Sequence, residues 1–316
     1  MGDIIWQLGT AYFGCRNPDG RFSPEMFADR VADDAIRMVE IKLSQGAKPG
    51  HGGILPAAKN MPKIAKIRAV EPYTDVISPP THSSFSTPIE TMEYIASLRE
   101  LSGGKPIGFK LCVGSKSEFF ALCKAMITTG IAPDFITVEG GTGAAPVEYS
   151  NSVGYPLRDG LAFVVDALIG FDLKKDVRVI ASGKIITGFH VIRALALGCI
   201  QALECNQNIC PTGIATQDPQ LTAGLVVSDK RVRVANYHRE TVKSVAEPIG
   251  AAGLNHVADL NRSHVNRRVN QSETRRYDEL YPYPPTGCLL RGEPPARMAR
   301  DFGLATASSF LPAASL

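Results

Sequence analysis

Five short runs of apolar and β-branched residues, each closing on glycine or serine, limit what this chain can become. They are DIIWQLG at 3–9, MVEIKLS at 38–44, IGFKLCVG at 107–114, DFITVEG at 134–140 and VRVIASG at 177–183. Runs this apolar suit strands buried on both faces, the habit of parallel sheets. Helix signals fall between them. Thr87-Pro88-Ile89-Glu90 is a capping box with proline at the first helical position, leading into TMEYIASLREL. Ser115-Lys116-Ser117-Glu118 offers a second box, and Gly130 a stop for the helix it opens. GLAFVVDALIGF at 160–171 is too short to span a bilayer and contains Asp166, so it reads as a buried helix. Strands alternating with helices predict a parallel α/β sheet, and 316 residues leave room for a barrel.

Every such run hands over to polar or glycine-rich residues at its carboxyl end, and α/β barrels place their chemistry on that face. EIKLSQGAKPGHGG brings Lys42, Ser44, Gln45 and Lys48 to one strand end, where two ammonium groups and an amide could seat a dicarboxylate. A solvated loop with glycines for turns is the alternative. FITVEGGTGAAP carries Gly140, Gly141, Thr142 and Gly143 just after a strand. Such a loop lets backbone N–H groups approach a phosphate or a flavin edge, and a tight turn explains it as well. Gly183 also follows a strand and precedes a helix start. Lys110 lies on an apolar strand, where burial of its charge calls for an anionic partner. His51 and His82 are placed to face the pocket.

Cys199, Cys205 and Cys210 stand six and then five positions apart, with Pro211 after the last. The paired Cys-x2-Cys spacing of zinc sites is missing, and three thiols in twelve residues better suit an iron–sulfur cluster. Buried unpaired thiols are the alternative, and the better reading for Cys112 and Cys123. A net charge of +3, with no basic stripe among aromatics, argues against nucleic acid, and no membrane span is expected. The absence of a charged leader with a long apolar run, together with an odd cysteine count, points to the cytoplasm. From about Asn261 the chain turns polar and basic, then proline-rich. It therefore divides into a 1–260 barrel region and a weakly ordered 261–316 extension.

EIKLSQGAKPGHGG, ISPPTHSSFSTP, EGGTGAAP and GCIQALECNQNICPTGIATQDP, in that order, resemble the synthase domain of the glutamate synthase large subunit. The likeness is greatest to the single-domain FMN-binding glutamate synthase family and runs from Gly2 to about Val269. It implies a (β/α)8 TIM-barrel type fold with FMN across the strand ends and an iron–sulfur cluster (3Fe-4S) nearby. It implies reductive amination of 2-oxoglutarate with ammonia to L-glutamate, with electrons from ferredoxin or an NAD(P)H-linked donor subunit. On matched positions Lys42, Gln45 and Lys48 would hold the 2-oxoglutarate carboxylates. Lys110 would sit against the pyrimidine edge of the flavin. Glu139, Gly140, Gly141, Thr142 and Gly143 would line the flavin site, Gly183 and Lys184 its phosphate end, and Cys199, Cys205 and Cys210 would bind the cluster.

Departures from the family pattern temper these expectations. The barrel is incomplete, with strands 3–7 of the family identifiable. A Met-Ser-Phe-Gly-Ala-Leu-Ser type segment is absent, residues before the Gly-Gly-Thr-Gly run are missing, and RALALGCIQ passes directly into the cysteines. Weak FMN binding, or none, is therefore expected. The Met-Gly start offers no N-terminal cysteine nucleophile, so ammonia would come free or from a separate glutaminase subunit. An inactive fragment or binding module of the family, or a relative making N-methylglutamate, are the alternative readings.

Overall fold

The computed structural model describes residues 3–43, 53–140, 154–183, 219–223 and 226–313. The five apolar runs become five strands: β1 (Ile4–Leu8), β2 (Ile36–Lys42), β5 (Ile107–Cys112), β6 (Phe135–Glu139) and β7 (Arg178–Ser182). They form one sheet in the order β1-β2-β5-β6-β7, and every pairing is parallel. Helices α1 (Pro24–Val31), α3 (Pro88–Leu101), α4 (Lys116–Thr129) and α5 (Leu157–Gly170) make the crossovers. A small antiparallel pair, β3 (Ile54–Leu55) with β4 (Val76–Ile77), and helix α2 (Pro62–Arg68) stand between β2 and α3. The architecture is that of an incomplete (β/α)8-type barrel. Among the described residues, β1 and β7 each pair on one side only.

Side chains alternate along a strand, so the sheet has two unlike faces. One carries Leu8, Val39, Ile41, Ile107, Phe109, Ile136 and Val138, all buried in the main core with residues of the helices. The other carries Gln7, Glu40, Lys42, Lys110 and Thr137, brought into line by the register. The apolar face anchors the sheet, and the polar face is where chemistry can be built.

The Thr87 box forms as read. Thr87 Oγ1 accepts from the Glu90 backbone N–H at 3.2 Å, and Glu90 accepts from the Thr87 N–H at 3.0 Å. Thr87→Ala is expected to cost about 1 kcal/mol in a urea unfolding curve. The second box forms only in half. Glu118 accepts from the Ser115 backbone N–H, but the Ser115 hydroxyl turns to Ser117 Oγ at 2.7 Å instead of the helix backbone. Gly130 ends α4 in the left-handed region at φ 68°.

The tail is where the structure departs from the sequence reading. Beyond α6 (Pro219–Ala223) and α7 (Val227–Ala251), a hairpin of β8 (Asn266–Arg268) and β9 (Thr274–Arg276) leads to α8 (Tyr277–Leu280) and α9 (Ala296–Leu304). Cys288, Leu289, Met298 and Ala305 join the core cluster. Leu289 N–H bonds the Gly170 carbonyl at 2.9 Å, and Lys124 Nζ reaches the carbonyls of Phe302 and Ala305 at 2.9 and 2.7 Å. Residues 262–313 therefore fold onto α4 and α5 rather than trailing weakly ordered. The polar composition concealed the few apolar residues and the half-buried Arg262 through which the segment docks. No helix among the described residues is long and apolar enough to cross a membrane.

Candidate functional site

Four strands deliver the polar cluster. Gln7 of β1 stands opposite Glu40 of β2 in the register, and Lys42 of β2 stands opposite Lys110 of β5, which stands opposite Thr137 of β6. Glu40 is 7% exposed and sits at the centre. Its Oε1 accepts from Gln7 Nε2 at 2.5 Å and its Oε2 from Thr137 Oγ1 at 2.5 Å. Lys110 Nζ lies 3.6 Å from Oε1. The anion that burial of Lys110 demands is thus supplied by the chain itself, so burial alone no longer argues for an external anion there. Glu40, Gln7 and Thr137 were missed from sequence. The signal was present for Glu40, two residues before Lys42 and hence on the same strand face.

At the carboxyl edge, Glu139 stands in register between Cys112 and Ser182. Its Oε2 is buried with no hydrogen-bond partner among the described residues. An acceptor left in this state is costly unless a donor arrives. The Cys112 thiol is pushed up to about 11, chiefly by burial and secondly by Glu139. Gly140 and Gly183 meet here, since a Cβ on Gly183 would lie 3.7 Å from the Gly140 nitrogen. A Cβ on Gly140 would lie 2.9 Å from Leu157, so close packing against the start of α5 already requires that glycine. At Gly183 φ is +135°, a conformation that side chains rarely adopt.

Of the residues expected at the site, Lys42, Lys110, Glu139, Gly140 and Gly183 are described, and all lie at or near the carboxyl ends of the sheet. Gln45, Lys48, His51, Gly141, Thr142, Gly143, Lys184, Cys199, Cys205 and Cys210 lie outside the described residues. Among the described residues no three His, Cys, Asp or Glu side chains gather as a metal site. Cys123 is fully buried, in keeping with a packing role, and Cys112 is half-buried.

His82 is buried, and its Nε2 lies 3.0 Å from the Lys42 carbonyl, so this nitrogen donates. Nδ1 then accepts from the Tyr12 hydroxyl at 3.1 Å. Burial holds its pKa below the ordinary histidine value. The ring thereby fixes the backbone that carries Lys42. Beside it a cleft of about 480 Å³ opens between the starts of α3 and α4, lined by Phe85, Phe119, Phe310, His82 and Glu118 among others.

Comparisons with known proteins identify the family. Residues 1–255 match the family model described as a conserved region in glutamate synthase. The glutamate synthase large subunit-like protein YerD of Bacillus subtilis (strain 168) is 38% identical over 296 residues, covering 88% of this chain and 56% of the relative. An archaeal glutamate synthase (NADPH) of Methanocaldococcus jannaschii is 32% identical over 241 residues, covering 70% of this chain and 46% of the relative. The ferredoxin-dependent glutamate synthase of Antithamnion sp. is 29% identical over 262 residues, covering 76% of this chain and 16% of the relative. The chain spans about half the length of the first two of these. With its parallel sheet, its strand-end lysines and a family match over most of its length, the chain belongs to the glutamate synthase family.

Proposed function

We propose that the chain carries the synthase step of glutamate formation: reduction of the imine of 2-oxoglutarate and ammonia to L-glutamate, with FMN and a 3Fe-4S cluster. The observation that carries this reading is the pair of lysines, Lys42 and Lys110, side by side on adjacent strands at the carboxyl edge. Lys42, with Gln45 and Lys48, would hold the two substrate carboxylates as charge-assisted hydrogen-bond donors. The described residues fit a flavin in two respects. Glu139 offers a buried acceptor without a donor among the described residues, which a ring N–H could supply, and Lys110 offers an ammonium for the electron-rich pyrimidine edge. When bound, FMN supplies the hydride that the imine carbon takes up, while the nitrogen takes a proton. Gly183 and Lys184 would face the phosphate, and Cys199, Cys205 and Cys210 would hold the cluster. Two of the relatives are named for NADPH and for ferredoxin, so we assign the electrons to a donor of one of these kinds. A separate glutaminase subunit or free ammonia would supply the nitrogen.

A second reading, a family member that binds without turning over, is favoured by one specific finding. Among the described residues β1 and β7 have one paired neighbour each and the strands form no closed barrel, and closure is what shields strand edges and cofactor. Weak cofactor retention follows. The purified chain is expected to lose FMN on desalting and to quench FMN fluorescence when FMN is returned in excess. Dithionite-reduced flavin on the chain is then expected to reoxidise on adding 2-oxoglutarate with ammonium, beyond a protein-free control. Quenching without reoxidation would select the second reading, and no quenching at any FMN concentration would remove FMN from both.

A further inference from the structure

We infer that Glu40 is a positioning residue. It pins the Lys110 ammonium and offsets part of its charge, and so sets how strongly this strand end favours a reduced, anionic flavin. The pin rests on the four-strand network, while the effect on flavin rests on the proposed function.

Consider first how the carboxylate is held. Gln7 approaches from β1 on one side of β2, and Thr137 approaches from β6, two strands away on the other side. The strand between, β5, places Gly108 directly beside Glu40 in the register. The Glu40 carboxylate reaches across β5 to Thr137. One oxygen is fixed by an amide and the other by a hydroxyl, so the anion cannot swing to follow a moving cation. Lys110 must come to it.

The lysine is paired but not consumed. At 3.6 Å its contact with Glu40 is an ion pair longer than a hydrogen bond. An ammonium carries three donors. Its side chain is only 14% exposed, so water does little to screen the pair. The arrangement leaves a cation that is oriented, partly neutralised and able to donate to an acceptor at the strand end. A negative charge fixed behind that cation weakens its attraction for added electrons on any group in front.

Two measurements test this. Purified chain is treated with dilute acetic anhydride, and acetylation of Lys110 is compared with that of exposed Lys243 by peptide mass spectrometry. Glu40→Gln keeps the shape and removes the charge, and is expected to speed Lys110 acetylation several-fold relative to Lys243. Thr137→Val frees one carboxylate oxygen to turn toward the ammonium and is expected to slow Lys110 acetylation relative to Lys243. It decides the matter if circular dichroism shows Glu40→Gln unfolded. An unchanged Lys110 rate in a folded variant overturns the pin.

With FMN in excess, Glu40→Gln is expected to raise the midpoint potential of bound FMN. A tenfold gain in preference for the reduced form corresponds to about 30 mV for a two-electron couple. Lys110→Met is expected to lower it. FMN that binds with an unmoved or lowered potential in Glu40→Gln overturns the tuning. If wild-type chain binds no FMN, the tuning and the proposed function both fall, while acetylation still decides the pin.

Discussion

Asp166→Ala is expected to cost about 3–5 kcal/mol of folding free energy, read from equilibrium urea unfolding. Asp166 lies on α5, is 3% exposed and receives two arginines from the tail. Arg262 comes within 2.8 Å of Oδ1 and Arg297 within 3.1 Å of Oδ2. Burial still pushes the carboxyl above its ordinary range, against the pull of both cations. The two arginines are not equivalent. Arg297 has a side chain 42% exposed and can turn to water once its partner is gone. Arg262 has a side chain 12% exposed, donates to the Tyr281 carbonyl at 2.6 Å and lies 4.1 Å over the Tyr283 ring. Removing Asp166 strands that cation in a place it cannot leave cheaply. Arg262→Ala should therefore rival Asp166→Ala, whereas Arg297→Ala should fall under about 1 kcal/mol. Asp166→Leu combined with Arg262→Met should recover most of the loss, because a buried pair replaced whole leaves no orphan charge. Equal, small losses for both arginines would show that the tail is held by its apolar contacts alone.

That pair also shows why the tail was hard to read from sequence. Asp166 was visible as the one charge in the apolar run 160–171, but its partners lie about a hundred residues on, inside a stretch whose composition looks unstructured. Polarity along the chain says nothing about which arginine will be buried. The five strands were legible because their apolar runs repeat a local pattern, and each run became a strand within a residue or two of its expected bounds. Thr87 and Gly130 were legible for the same reason, since caps are written in adjacent residues. Ser115 shows the limit of that rule, because a hydroxyl two residues away outcompeted the backbone it was expected to bond. The Glu40 network was illegible as a network. Gln7, Glu40, Lys110 and Thr137 come together only through the register of four strands, and register is settled by the whole sheet rather than by any one run. Sequence placed Lys110 on an apolar strand and called for an anion, and the structure supplies Glu40.

Gly108→Ala is expected to be the other severe substitution, because it tests that register directly. A methyl built on Gly108 overlaps the carbonyl oxygen of Phe135 and lies 2.6 Å from both Cδ atoms of its ring. A ring can rotate away, but a carbonyl on the neighbouring strand moves only if the strand moves. The change should cost about 3 kcal/mol, the upper end for an overpacked core site. Phe135→Ala in the same chain separates the two obstacles. It removes the ring and leaves the carbonyl, so it should add its own loss and not rescue stability. Rescue would mean that the ring alone set the conflict and that β5 and β6 have slack. Without such slack, β5 must shift against β6, carrying Lys110 off the carboxylate that Gln7 and Thr137 hold. Acetylation of Lys110 in folded Gly108→Ala should then rise as it does in Glu40→Gln, though every charged residue is still present. One missing methyl on β5 thus serves both stability and the site, since the strand spacing it permits keeps Lys110 beside the carboxylate that Gln7 and Thr137 hold.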